Sequence, residues 1–133
     1  MPQASLAGVR ILVADDLETN RALVSKMLKR FDAEVLLAED GSQAIELMKT
    51  ESVDIVLMDC QMPVLDGYAA TRTIRHELGS DIPIIALTAN ALEGDRERCL
   101  AAGMTDFLSK PVRLNVLREG LSKWVTSPSP TRA

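Results

Sequence analysis

Hydrophobic positions along the chain follow two rhythms. Five short, nearly continuous apolar runs recur: Val9 to Ala14, Glu34 to Ala38, Val53 to Met58, Ile82 to Leu87, and Asp106 to Leu108. Most are rich in β-branched residues and do not alternate with polar ones, which predicts strands covered on both faces. Between them the spacing becomes helical. Leu23, Val24, Met27, Leu28 and Phe31 fall on one face of a helix, as do Ala44, Ile45 and Met48. So do Ala70, Ile74 and Leu78, and then Leu114, Leu117, Leu121, Trp124 and Val125. The segment from Leu92 to Ala102 differs, because its middle is nearly all charged. Only Leu92, Cys99 and Leu100 point to a core there, predicting a short, marginal helix that stops near Gly103.

Strand alternating with helix five times predicts an α/β fold, a parallel sheet with helices on both faces. The two small-domain choices are a flavodoxin-like sheet and a fragment of a larger Rossmann fold. We favour the flavodoxin-like five-stranded sheet, order 2-1-3-4-5, whose ligand crevice lies between the ends of strands 1 and 3. The domain is expected to span residues 9–125, after a flexible lead of residues 1–8. The Ser/Pro-rich residues 126–133 are expected to be a disordered tail or linker.

Composition narrows the function classes. The 133 residues are 47% hydrophobic and 26% charged, enough for one core and a solvated surface. The net charge of −4 argues against a nucleic-acid surface. No apolar run approaches the length of a membrane span, and no basic, apolar leader opens the chain, so a cytoplasmic location without direct membrane contact is expected. Cys60 and Cys99 lack metal-ligand spacing and are read as small, part-buried side chains rather than a disulfide. His76 is the lone histidine, which leaves no zinc set.

The chemistry gathers at strand ends. Strand 1 ends in Asp15 and Asp16, and strand 3 in Asp59. In the expected strand order three carboxylates share one crevice, where they repel unless a cation enters. Hard oxygen ligands in that number suit Mg²⁺. Asp15 or Asp16 could instead cap the first helix. Thr88 ends strand 4, as a hydroxyl at the crevice mouth or a helix cap. Lys110 follows strand 5, as a point charge for an anion or an ordinary strand-end lysine. Pro111 after it permits a cis bond at Lys110–Pro111 that would aim the loop. Together the set fits a phosphoryl-accepting site with Asp59 as nucleophile, where catalysis is mostly positioning and electrostatics.

These residues resemble the receiver domains of two-component response regulators. The likeness rests on Asp15-Asp16, Asp59 with Met62-Pro63 and Asp66-Gly67, Thr88-Ala89, and Lys110-Pro111, in order and spacing over Val9 to Val125. It implies that Asp59 takes a phosphoryl group from a phosphohistidine. It implies Mg²⁺ on Asp16, Asp59 and the backbone carbonyl of Gln61, with Asp15 acting through water. It further implies a switch, in which Thr88 moves toward the phosphoryl group, Phe107 turns inward, and the surface of helix 4, strand 5 and helix 5 changes. Gln61 and Asn90 would flank the path of the water that hydrolyses the phosphoryl group. Such a domain catalyses its own phosphorylation and dephosphorylation.

A finer resemblance points to receivers of hybrid sensor histidine kinases. It is carried by Asn20-Arg21, by Met58 to Gly67, by Ala86 to Ala91, and by Cys99 to Met104 leading to Phe107 to Pro111. Leu17 departs from it, since such receivers often carry Asn there. The partners implied are a histidine kinase or a histidine phosphotransfer domain, and a dimer through the helix 4–helix 5 face stays open. The parent chain could itself be a histidine kinase. The alternatives are a stand-alone single-domain regulator, and a phosphate-independent interaction module of the same fold. A flavin-binding flavodoxin is a weaker third, since Asp15-Asp16 stand where a phosphate loop would.

Overall fold

The computed structural model describes residues 7–88, 93–110 and 112–124. The lead before residue 7, Asn90, Leu92, Pro111, Val125 and the tail 126–133 lie outside the described residues. Ten elements alternate: β1 (Arg10–Ala14), α1 (Glu18–Lys29), β2 (Glu34–Ala38), α2 (Gly41–Thr50), β3 (Ile55–Asp59), α3 (Gly67–His76), β4 (Ile84–Thr88), α4 (Glu93–Ala102), β5 (Asp106–Ser109) and α5 (Leu114–Trp124). The five strands form one parallel sheet in the order β2-β1-β3-β4-β5. This is the flavodoxin-like arrangement expected from the sequence.

Period-two geometry sorts each strand between two cores. Ile11, Val13, Ile55, Leu57, Ile85 and Leu87 face α1 and α5, meeting Val24, Leu28, Leu117 and Leu121. Leu12, Ala14, Val56, Met58, Ile84 and Ala86 face α2, α3 and α4, meeting Ala44, Ile45, Ala70, Ile74 and Cys99. Both faces of β3 and β4 are therefore dry, which is why those runs are apolar without alternation.

Several boundaries move for local reasons. β3 opens at Ile55 rather than Val53, because the Asp54 carboxylate accepts the Arg10 N–H (2.8 Å). β4 opens at Ile84 rather than Ile82, because Pro83 has no N–H for the ladder; its carbonyl accepts from Val56 instead (3.0 Å). Phe31 and Leu78 lie beyond the ends of α1 and α3, although Phe31 is buried. Leu37 (46% exposed) and Trp124 (37%) of the expected core lie at the surface, as do two further helical residues, Leu23 (48%) and Leu100 (50%). Leu23 and Leu100 each sit beside a buried neighbour, Val24 and Cys99, and adjacent helical residues diverge by about 100°.

Caps fix where helices begin. Asp40 accepts the Gln43 N–H (2.9 Å) at α2, and Asp66 accepts the Ala69 N–H (2.8 Å) at α3. Gly103 ends α4 at φ +104°, a left-handed conformation suited to glycine. Arg75 holds that turn to α3, donating to the carbonyls of Gly103 (2.8 Å), Ser80 (3.1 Å) and Ile82 (2.6 Å) and to the Thr105 hydroxyl (3.3 Å).

Candidate functional site

Parallel strands present all their C-terminal ends to one rim, and the order β1-β3-β4-β5 sets the acid pair beside Asp59. Carboxylate oxygens of Asp15, Asp16 and Asp59 lie within 4.8 Å of one another. Asp15 and Asp59 are buried and Asp16 is exposed. Lys110 Nζ reaches back from the end of β5 to Asp59 Oδ2 (2.9 Å) and Asp15 Oδ2 (3.5 Å). The Lys110 backbone N–H donates to the Thr88 carbonyl (2.8 Å), so β4 itself holds the lysine in place.

Neither aspartate of the pair is the helix cap. Leu17 occupies the cap position of α1 without a side-chain bond, and the Asp15 carboxylate instead accepts the Leu17 N–H (2.9 Å) in a local turn. Arg21 then secures the Asp15 carbonyl (2.7 Å). At Asp59 the Gln61 N–H donates to Oδ1 (3.2 Å). Close behind, the Gly67 N–H donates to the Cys60 carbonyl (3.0 Å), and a Cβ at Gly67 would collide with the Asp59 carbonyl. Glycine at this position lets α3 start against the end of β3.

Electrostatics follow from this crowding. Burial raises the pKa of Asp59, the Asp15 charge adds to that, and the Lys110 hydrogen bond and charge offset part of it. Burial works against the charge on Lys110, but the Asp59 hydrogen bond and charge outweigh it, with Asp15, and its pKa rises. Three carboxylates against one ammonium leave an unbalanced negative charge on a largely buried rim. An oxygen-rich set of that kind fits a small divalent cation such as Mg²⁺.

The other predicted residues divide around this cluster. Thr88 is buried at the end of β4, one position past Leu87, the register partner of Asp59. Phe107 is half-buried, pairs in register with Ala86, and lies under the Arg96 guanidinium (5.9 Å to the ring centre). It is outside the acid cluster, one strand removed. Asn90 and the Lys110–Pro111 bond fall outside the described residues.

Sequence reading missed the wall beside the cluster. A cavity of about 200 Å³ is lined by Asp15 and Lys110 and by Asn20, Leu23, Val24, Leu87 and Val112. Leu23 on α1 is 48% exposed at this wall, and Leu17 at the α1 cap position is 53% exposed. The available signal was the doubled pair Leu23-Val24, two bulky side chains of which α1 buries Val24 and leaves Leu23 at the surface. Val64 was also missed; it is 82% exposed at φ +69°, in a tight turn closed by Leu65 N–H on the Pro63 carbonyl (2.7 Å).

Comparison with known proteins places these features in company. The family model for the response regulator receiver domain matches residues 11–122. The chain is 42% identical over 123 residues to the sensor histidine kinase RcsC of Salmonella typhimurium, covering 92% of this chain and 13% of that protein. It is 48% identical to the receiver domain of the sensor histidine kinase PA1611 from Pseudomonas aeruginosa, covering 91% of this chain and all of that one at a TM-score of 0.83. That crystal structure has a magnesium ion coordinated in the active site cleft. The receiver domain of the Saccharomyces cerevisiae response regulator Ssk1, solved with the histidine phosphotransfer protein Ypd1, is 28% identical at a TM-score of 0.82. That likeness covers 87% of this chain and 88% of the other. The chain spans about an eighth of the length of its RcsC relative.

Proposed function

The chain belongs to the response regulator receiver domain family, and on that premise we propose that Asp59 accepts a phosphoryl group from a phosphohistidine in a phosphorelay. One observation carries the reading. A buried carboxylate ends the central strand, with a lysine 2.9 Å away and two further carboxylates converging on it.

The residues divide the work. An Asp59 carboxylate oxygen attacks phosphorus, forming an acyl phosphate as the bond to the donor imidazole nitrogen breaks. Attack needs the ionised form, and Lys110 favours it against the burial that opposes it. After transfer the ammonium of Lys110 and the hydroxyl of Thr88 hold phosphoryl oxygens. Asp15, Asp16, Asp59 and the Gln61 carbonyl would hold Mg²⁺, with Asp15 acting through water. When bound, the ion would neutralise charge on the transferred group.

The partner is a histidine phosphotransfer domain or the histidine domain of a kinase. Support comes from the apolar cavity that opens beside Asp15 and Lys110, and from exposed Leu23 on its α1 wall. The RcsC and PA1611 relatives, both sensor histidine kinases, support a parent hybrid histidine kinase, and we place this domain in the cytoplasm. Output is a shift of the α4–β5–α5 surface, in which Thr88 moves toward the phosphoryl group and half-buried Phe107 turns inward. That face could also pair two copies. Gln61 and Asn90 tune the hydrolysis that resets the site.

Incubation with acetyl phosphate and Mg²⁺ should label the chain once, and Asp59→Asn should abolish the label. Full labelling of the Asp59→Asn chain refutes the assignment. A blank with several donors and Mg²⁺ would favour a phosphate-independent module of the same fold. Phosphotransfer profiling against histidine kinases and phosphotransfer domains then separates a relay from a stand-alone regulator.

A further inference from the structure

Cys60 directly follows Asp59, and Cys99 lies on α4. The two are 39 positions apart, yet their Sγ atoms are 3.8 Å apart and both are buried as thiols. Their mountings differ. The Cys60 N–H donates to the Leu87 carbonyl (3.1 Å) and its carbonyl accepts from Gly67 (3.0 Å), which pins it to β4 and to the start of α3. Cys99 belongs to a helix whose neighbouring residues Arg96, Glu97, Arg98 and Leu100 are all exposed. Burial pushes the Cys60 thiol up to about 12, and the Arg98 guanidinium lies over the neighbouring Tyr68 ring (4.5 Å to its centre).

We propose that Cys60 and Cys99 form a modification site, in which a peroxide joins them in a reversible disulfide that ties α4 to the strand end bearing Asp59. The electrons balance in two steps. One thiol takes an oxygen from hydrogen peroxide, giving a sulfenic acid and one water. The neighbouring thiol then forms the sulfur–sulfur bond, and its proton leaves with the hydroxyl as a second water. Two thiols are oxidised by two electrons and one peroxide is reduced. The resolving sulfur already sits beside the first, so this step needs no search.

Closing the pair from 3.8 Å to a bond of about 2.05 Å requires an approach of roughly 1.8 Å. β3 is hydrogen-bonded on both sides and buried on both faces, so α4 supplies the movement. On the function proposed above, α4 is part of the switching surface. The bond would therefore hold the switch against the phosphoacceptor strand and report oxidation through the same element as phosphorylation.

The test uses the full chain, reduced and then treated with hydrogen peroxide, beside Cys60→Ala and Cys99→Ala. The wild-type chain should stay monomeric, lose about 2 Da, yield one cross-linked peptide pair, and regain its mass with dithiothreitol. Each single variant should add oxygen or stay unchanged. Addition of oxygen to the wild type without loss of hydrogen, a link between two chains, or inertness at a dose that oxidises the urea-unfolded chain would each overturn the proposal. Amide exchange across Glu93–Ala102 should slow by about fivefold or more in the bonded chain. A bond that leaves this exchange unchanged overturns the tether. The mass measurement uses no phosphoryl donor. Mass loss without acetyl phosphate labelling would therefore count against the phosphoacceptor reading alone.

Discussion

Lys110→Met should cost stability in a way that depends on both pH and Mg²⁺. The substitution keeps the aliphatic stem and removes the ammonium 2.9 Å from Asp59 and 3.5 Å from Asp15. At an effective dielectric of about 20, the attraction across the shorter contact is on the order of 6 kcal/mol. That is an upper figure, because the lysine is itself partly desolvated and water reaches its side chain. Loss of one partner from a buried pair costs about 3–5 kcal/mol, and the variant can relieve part of that by protonating Asp59. We therefore expect a loss of about 3 kcal/mol near pH 7 without metal. Burial already raises the folded-state pKa of Asp59 above its ordinary 3.8, and losing Lys110 raises it further. A raised carboxylate pKa penalises the folded state as pH climbs through the unfolded value and leaves no penalty below it. The gap between variant and wild type should thus shrink as pH falls toward about 4. Mg²⁺ should also narrow it, since a site without its ammonium gains more from a divalent cation. Urea denaturation at both pH values, with and without Mg²⁺, measures this. A loss that is equal under all four conditions would trace to packing of the lysine stem and refute the electrostatic account.

Three further outcomes are expected. Gly67→Ala should slow acetyl phosphate labelling and lower the urea midpoint, because the new Cβ meets the Asp59 carbonyl; unchanged labelling and midpoint would show that α3 can shift at no cost. Leu23→Asp, on the exposed flank of the apolar cavity, should weaken phosphotransfer from a protein donor by about tenfold while acetyl phosphate labels as before, and parallel loss of both would remove α1 from the docking role. Val64→Gly should relieve the left-handed backbone of a β-branched residue (φ +69°) and raise stability by about 1 kcal/mol, whereas a lower urea midpoint would mean that the exposed valine packs usefully.

Strand and helix identity was legible because burial writes directly into composition. A strand dry on both faces must be apolar throughout, as Ile55 to Met58 and Ile84 to Leu87 are, and an amphipathic helix must repeat near 3.6 residues. Asp15, Asp16, Asp59 and Lys110 could be singled out as strand-end polar groups, and the order 2-1-3-4-5 brought them to one rim. Element edges were less legible. Whether β3 starts at Val53 or Ile55 depends on what the Asp54 carboxylate meets across the sheet, and Pro83 shortens β4 through a donor it lacks.

The chain by itself determined the alternation of elements, the two-faced core and the residue types on the rim, because these follow from periodicity and local backbone chemistry. Tertiary structure decided which neighbours those residues meet. It put Lys110 on both Asp59 and Asp15, turned Leu23 outward beside a cavity, and set the Cys60 and Cys99 sulfurs 3.8 Å apart. None of these contacts is encoded in spacing. Each arises where parallel strands far apart in sequence end at one edge, and where a helix rotates to bury one of two adjacent apolar residues.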